Sequence, residues 1–150
     1  MTPSVGGRER VVVGGLLAAS AAATGALVGF GAGVLWAVAG LPALPAAAAV
    51  AVVVAAVGAD VIGLPPPALG RQVPREWSRL FPIRAVAVLY GARLGVAPLT
   101  ILNTWLWWAA LVVGASTGVW TSVLVGLAFG VWRGVLTGTW HGLRRRSRRR

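Results

Sequence analysis

The sequence predicts an all-α fold, a polytopic bundle of four transmembrane helices with both termini cytoplasmic. Three observations carry that expectation: two long uncharged runs, the placement of arginine, and the placement of tryptophan. Residues 11–59, 49 in all, separate Arg10 from Asp60 without a charge, and residues 94–132, 39 in all, separate Arg93 from Arg133. A single crossing needs only about 20 apolar residues. At about 1.5 Å per residue, 49 residues would make a helix of roughly 74 Å against a hydrocarbon core of about 30 Å, so each run holds two crossings and a turn. With 57% of its 150 residues apolar, the chain does not have the patterning of an ordinary soluble domain.

The elements follow in order. The first helix covers about 11–40 and ends where Gly40, Pro42 and Pro45 cluster. The second covers about 46–63, stopped by Pro65, Pro66 and Pro67. A cytoplasmic loop, 64–82, leads to a third helix over about 83–113. Gly114 to Gly118 supply the next turn, and a fourth helix covers about 119–140. Residues 1–10 form a cytoplasmic N-terminal segment and 141–150 a basic cytoplasmic tail. The first and third helices exceed what a crossing requires, and both carry candidate breaks, Gly29 to Gly33 and Gly95 to Pro98; tilt also absorbs length. In the loop, Pro74 can open a short interfacial turn with Trp77, Leu80 and Phe81 on one face, although an irregular basic loop fits equally.

Orientation follows from the excess of Lys and Arg in cytoplasmic segments. Arg8 and Arg10 precede the first helix, Arg71, Arg75 and Arg79 lie in the middle loop, and six arginines close the chain, while the two other turns carry no charge. That alternation fits four crossings of the cell membrane with both ends inside. Trp36, Trp105, Trp107, Trp108 and Trp120 then fall near the outer ends of helices, and Trp77 and Trp140 near the inner face, as in an aromatic belt. The basic residues before Val11 imitate a secretory signal, but the apolar run continues to Ala59, which favours a retained helix.

A net charge of +11 is a common footprint of nucleic-acid binding. Here the charge sits in flanks and tail, so topology and anionic headgroups account for it, and no nucleic-acid partner is expected. All fourteen basic residues are arginine, which suits a GC-rich genome as well as phosphate chemistry. The lack of cysteine excludes disulfides, thiol redox chemistry and iron–sulfur ligation. One histidine and three acids leave no expectation of a metal centre or cofactor. There is no carboxylate pair, no nucleophile beside a base and no phosphate-cradling loop, so no catalytic residues are assigned and no enzyme is expected.

Residues that bear on assembly come next. Gly126, Gly130, Gly134, Gly138 and Gly142 recur every four positions, Gly25, Gly29 and Gly33 repeat the pattern, and so do Gly91 and Gly95. Small residues at that spacing let helix backbones approach closely in lipid. The stripes serve either packing within one bundle or an interface between copies. The tail Arg144, Arg145, Arg146, Arg148, Arg149 and Arg150 is a polybasic cluster, each residue worth about 1 kcal/mol against anionic lipid headgroups.

Arg93 is the most informative residue for function. It lies about 15 Å along the third helix, where a charge costs at least roughly 2.5 kcal/mol and faces a bundle interior or a wet cavity. Ala97, Thr100 and Thr104 continue its face, Asn103 lies beside Thr100, and Pro98 frees a carbonyl of the preceding turn. A polar stripe beside a broken helix is how many carriers build a solute site. Asp60 and Arg133 are the other intramembrane charges. Either Asp60 pairs with one arginine while the other reaches the surface, a purely structural arrangement, or Arg93, Arg133, Thr100 and Asn103, with Asp60 nearby, hold a polar or anionic solute.

The stretch that carries Arg71, Gln72, Val73 and Trp77, then Gly91, Leu94, Gly95 and Thr100, resembles small actinobacterial membrane proteins grouped with the sulfite-exporter and CcdA-like carriers. The resemblance covers residues 70–113. It implies a helical carrier fold moving a small anion or reducing equivalents. Absence of cysteine departs from the reductant branch, and four helices are fewer than such carriers use, which implies dimerisation. The expected function is therefore a carrier or permease for a small anionic or polar solute acting as a homo-oligomer. The alternative is a non-catalytic subunit that anchors a larger membrane complex.

Overall fold

The computed structural model describes residues 7–67, 80–96 and 104–147, with side chains to residue 137. Among the described residues it is all-helical, with no strand: α1 (Gly7–Val38), α2 (Ala46–Val61), α3 (Ile83–Gly95), α4 (Trp105–Thr117) and α5 (Val119–Ser147). Two helices, α1 over its full length and α5 over Val119–Thr137, are long and apolar enough to cross a membrane. They are not the buried helices of a soluble core, because only 11% of the most apolar stretch of α1 and 28% of that of α5 is buried in the protein. Leu27 and Leu35 on α1, Val54 and Val57 on α2, and Trp120 and Leu124 on α5 all face outward. Water would penalise such a surface by about 25 cal/mol per Å², and lipid would not.

What holds the helices together is small. Ala21 and Ser122 are fully covered, and Ala87, Ala109 and Ala115 nearly so. Along α1, Gly25 backs onto Gly126, Gly29 onto Ser122 and Gly33 onto Val119, while Gly130 backs onto Ala21 and Gly134 onto Ala18. As the number falls on one helix it rises on the other, so α1 and α5 are antiparallel. A methyl group added at Gly126 would collide with the Gly25 carbonyl, and one at Gly134 would stand 2.6 Å from the Ala18 Cα. α3 uses the same device on a neighbouring strip of α1. Gly91 abuts Leu17 and Ser20, Gly95 abuts Ala21 and Thr24, and the two helices run parallel. The hydroxyls that line this contact are satisfied locally, Ser20 donating to the Leu16 carbonyl at 2.8 Å and Thr24 to the Ser20 carbonyl at 2.8 Å.

Trp107 and Leu111 of α4 form a cluster of large buried side chains, packed against Val28 and Ala32 of α1 and Val125 and Phe129 of α5. The pairing of Trp107 with Phe129, and of Gly114 with Ser122 and Val125, makes α4 antiparallel to α5 and so parallel to α1. Thus α3 lies beside the first half of α1 and α4 beside the second, both pointing the same way. At 13 residues each, about 20 Å, neither is a full crossing.

This corrects the expectation of one continuous third helix over 83–113. The helix stops at Gly95, where Val96 leaves helical geometry (φ −90°, ψ 85°), and a separate helix begins after Thr104, which is extended (φ −128°, ψ 150°). Thr104 therefore caps a new helix rather than continuing the face of Arg93. The candidate break in α1 does not occur, because Gly29 and Gly33 are covered by α5 and the helix runs on. The fourth helix does not end at 140: α5 continues through Ser147, taking Arg144, Arg145 and Arg146 into helix, while Arg148, Arg149 and Arg150 lie outside the described residues. The short turn expected after Pro74 likewise lies largely outside them.

Helix ends explain where the turns fall. α1 closes with Leu41 N–H on the Trp36 carbonyl and Gly40 N–H on that of Ala37, and α2 with Leu64 N–H on Ala59 and Gly63 N–H on Asp60. Both are Schellman closures whose C′ residue must be left-handed, and Gly40 (φ 64°) and Gly63 (φ 74°) supply it. So α2 is ended by Gly63 before Pro65 is reached. Ser122, sandwiched between α1 and α4, has an Oγ with no hydrogen-bond partner among the described residues. Ser122→Ala should therefore stabilise the bundle by about 1 kcal/mol, read as a higher thermal midpoint in detergent.

Candidate functional site

The interruption between α3 and α4 is where the polar groups collect. The start of a helix exposes amide donors that have no partner within the helix. The first three amides of α4 all find side-chain oxygens. Thr104 Oγ1 accepts from Trp107 N at 3.3 Å, and the Asp60 carboxylate, brought by the last turn of α2, accepts from Trp105 N through Oδ1 at 2.8 Å and from Leu106 N through Oδ2 at 3.2 Å. The Trp105 indole donates to the Leu64 carbonyl at 3.0 Å, tying the same two segments a second time. An anion at a helix N-terminus meets both the free amides and the positive end of the helix dipole.

Asp60 was expected to pair with an arginine or to border a solute site; its two oxygens instead serve the start of α4. The reason is that α4 begins at Trp105, a boundary the continuous third helix would have hidden. The same boundary puts Trp105, Trp107 and Trp108 in the first turn of α4 rather than towards the end of a long third helix. Trp107 packs at the level of Val28, well inside α1.

Arg93 is half-buried in the last turn of α3, where a cation is favoured by the negative end of the helix dipole. Arg133 is only 7% exposed on α5. Its guanidinium lies 5.3 Å from the centre of the Phe129 ring, one turn earlier on the same helix, and Phe129 stacks on Trp107 at 3.9 Å with 20° between the planes. Cation–π attraction in a desolvated setting is worth about 2 kcal/mol and offsets part of the cost of burying the charge. Arg133 thus lines the same groove as Thr104 and Trp107 of the start of α4.

A groove of about 440 Å³ runs between α4 and α5, lined by Thr104, Leu106, Trp107, Phe129, Trp132 and Arg133, among others. Arg133 and Thr104 give it one polar end. The structure brings Arg133 and Thr104 to this groove and Asp60 to the adjoining helix start, and sets Arg93 at the end of α3. Thr100 and Asn103 lie outside the described residues. Of the packing glycines, Gly126, Gly130 and Gly134 face α1, as do Gly91 and Gly95, while Gly138 falls beyond residue 137, where only the backbone is described. Sequence reasoning missed Phe129 and Trp107. The i, i+4 spacing of Phe129 and Arg133 was a readable signal for the first, whereas nothing in the local sequence marks Trp107.

No family model, curated protein or solved structure matches the chain. The functional reading therefore rests on the residues themselves.

Proposed function

We propose that the protein is a multi-pass carrier of the cell membrane for a small anionic or polar solute. In this reading α1, α2, the α3–α4 pair and α5 make four crossings with both termini cytoplasmic, and Arg133 and Arg93 hold the solute at the interruption. The observation that carries it is Arg133, a cation 7% exposed, on a helix packed beside two short helices that point the same way. Carriers place broken helices at their solute sites because freed backbone groups and half-helix ends recognise polar ligands there. The α4 amides already hold the Asp60 carboxylate, which displays the chemistry that an incoming anion would meet.

Uptake of radiolabelled small anions into proteoliposomes tests the reading. Arg133→Gln and Arg93→Ala, inserted and helical by circular dichroism, should each lower the initial rate roughly tenfold, the value of one charge-assisted hydrogen bond of about 1.4 kcal/mol. Unchanged rates, or no uptake of any anion by wild type, would exclude it. The absence of native cysteine makes the topology testable by single introduced cysteines. Ala43→Cys in the turn after α1 should react with an impermeant maleimide added outside intact cells, and Ser147→Cys should not.

The alternative, an assembly subunit that meets partners through its glycine stripes, is weakened by one observation. Gly25, Gly29, Gly33, Gly91, Gly95, Gly126, Gly130 and Gly134 are all covered by helices of the same chain.

A further inference from the structure

The groove between α4 and α5 has a composition that a small soluble ion does not explain. Its one charged lining residue is Arg133, 7% exposed, and Thr104 lines the same groove. The rest of its lining, including Leu106, Ala110, Trp132 and Leu136, is apolar, and Leu106, Trp132 and Leu136 are themselves outward-facing. A free anion would use the arginine and leave the apolar length of the groove unfilled. A ligand with an anionic head and a hydrocarbon chain satisfies both, since a guanidinium matches phosphate oxygens in pairs and the chain continues onto the lipid-facing surface.

We propose that this groove binds an anionic phospholipid, its phosphate on Arg133 and an acyl chain along Leu106, Trp132 and Leu136, admitted sideways from the bilayer. The proposal rests on the membrane placement of the carrier reading and goes beyond it, assigning a lipid site to the same groove.

Two indoles in the groove, Trp107 and Trp132, make occupancy readable. Full-length protein in phosphatidylcholine vesicles is titrated with phosphatidic acid brominated on its acyl chain, and in parallel with phosphatidylcholine carrying the same bromines. Tryptophan quenching should show a preference of roughly tenfold for the anionic lipid. Arg133→Gln should bring it near unity, and Arg133→Lys should keep part of it. Because Arg133→Gln can fail to fold, Ala110→Phe provides a second route: it fills the groove, leaves the charge in place, and should also remove the preference.

A preference that survives both Arg133→Gln and Ala110→Phe would assign the effect to the basic end of the chain and overturn the proposal. So would abolition of the preference by inorganic phosphate at a concentration equal to that of the anionic lipid, which would mark a free-anion site. The two readings fail separately. Selective quenching without uptake of any small anion sinks soluble-solute transport and keeps the lipid site, whereas Arg133-dependent uptake without selective quenching does the reverse.

Discussion

Replacing Gly130 with valine should destabilise the bundle by about 3 kcal/mol, seen as a lower midpoint of unfolding in a denaturant titration in detergent micelles. The cause is backbone meeting backbone. A Cβ at Gly130 would overlap the Ala21 carbonyl oxygen and stand 2.6 Å from its carbon and 2.8 Å from the Ala22 Cα. No rotamer change relieves that contact, so α1 and α5 must separate along the whole strip from Ala18 to Gly33. Dispersion between close backbones supplies much of the association of helices in lipid, and it is lost with the separation. The internal control is Gly14→Ala. Gly14 lies on the same α1 with nothing near its missing Cβ, so alanine there should be neutral or stabilising by up to about 1 kcal/mol through helix propensity. Equal destabilisation at both sites would show that the glycine stripe does not hold the bundle.

That contrast also shows what the sequence could and could not disclose. Four-residue spacing of glycine marked the strips on α1, α3 and α5 because one physical requirement, close approach, acts on a regular period. The same spacing was silent about the partner. Only the register of Gly25 on Gly126 and Gly91 on Leu17 assigns the contacts to one chain rather than two. Interruption of the third helix was half legible. Gly95 and Pro98 signalled a break, but a local signal does not say where the next helix begins. The fate of Asp60 was not legible at all, since its partners are amides 45 and 46 residues away whose availability depends on that starting point. Charge counting paired the acid with an arginine because side chains are all that a composition displays. The structure pairs it with a helix end, a charge that exists only once the fold is made.

This arrangement has a physical economy. An unpaired carboxylate in a membrane-facing segment is costly, and so is the bare start of a helix; joined, each removes the other's penalty. Fold and site are in this sense one problem. The acid meets the first amides of α4, and where α4 begins sets Thr104 and Trp107 along the groove that Arg133 also lines.

Asp60→Ala should accordingly have the second large effect, about 3 kcal/mol, from the loss of two charge-assisted hydrogen bonds and of the helix-end charge. The measurement is amide hydrogen exchange: Trp105 and Leu106 should lose protection, while the amides in the middle of α1 should not. Asp60→Asn retains one acceptor oxygen and should keep part of the protection, which separates hydrogen bonding from charge. If the Trp105 indole bond to the Leu64 carbonyl shares the task, Trp105→Phe combined with Asp60→Ala should loosen α2 from α4 by more than either change alone. A double-mutant cycle gives the coupling directly. Exchange at Trp105 and Leu106 that is indifferent to Asp60→Ala would mean that α4 starts without help from α2. The proposed route by which the acid positions the face carrying Trp107 against Arg133 would then fail as well.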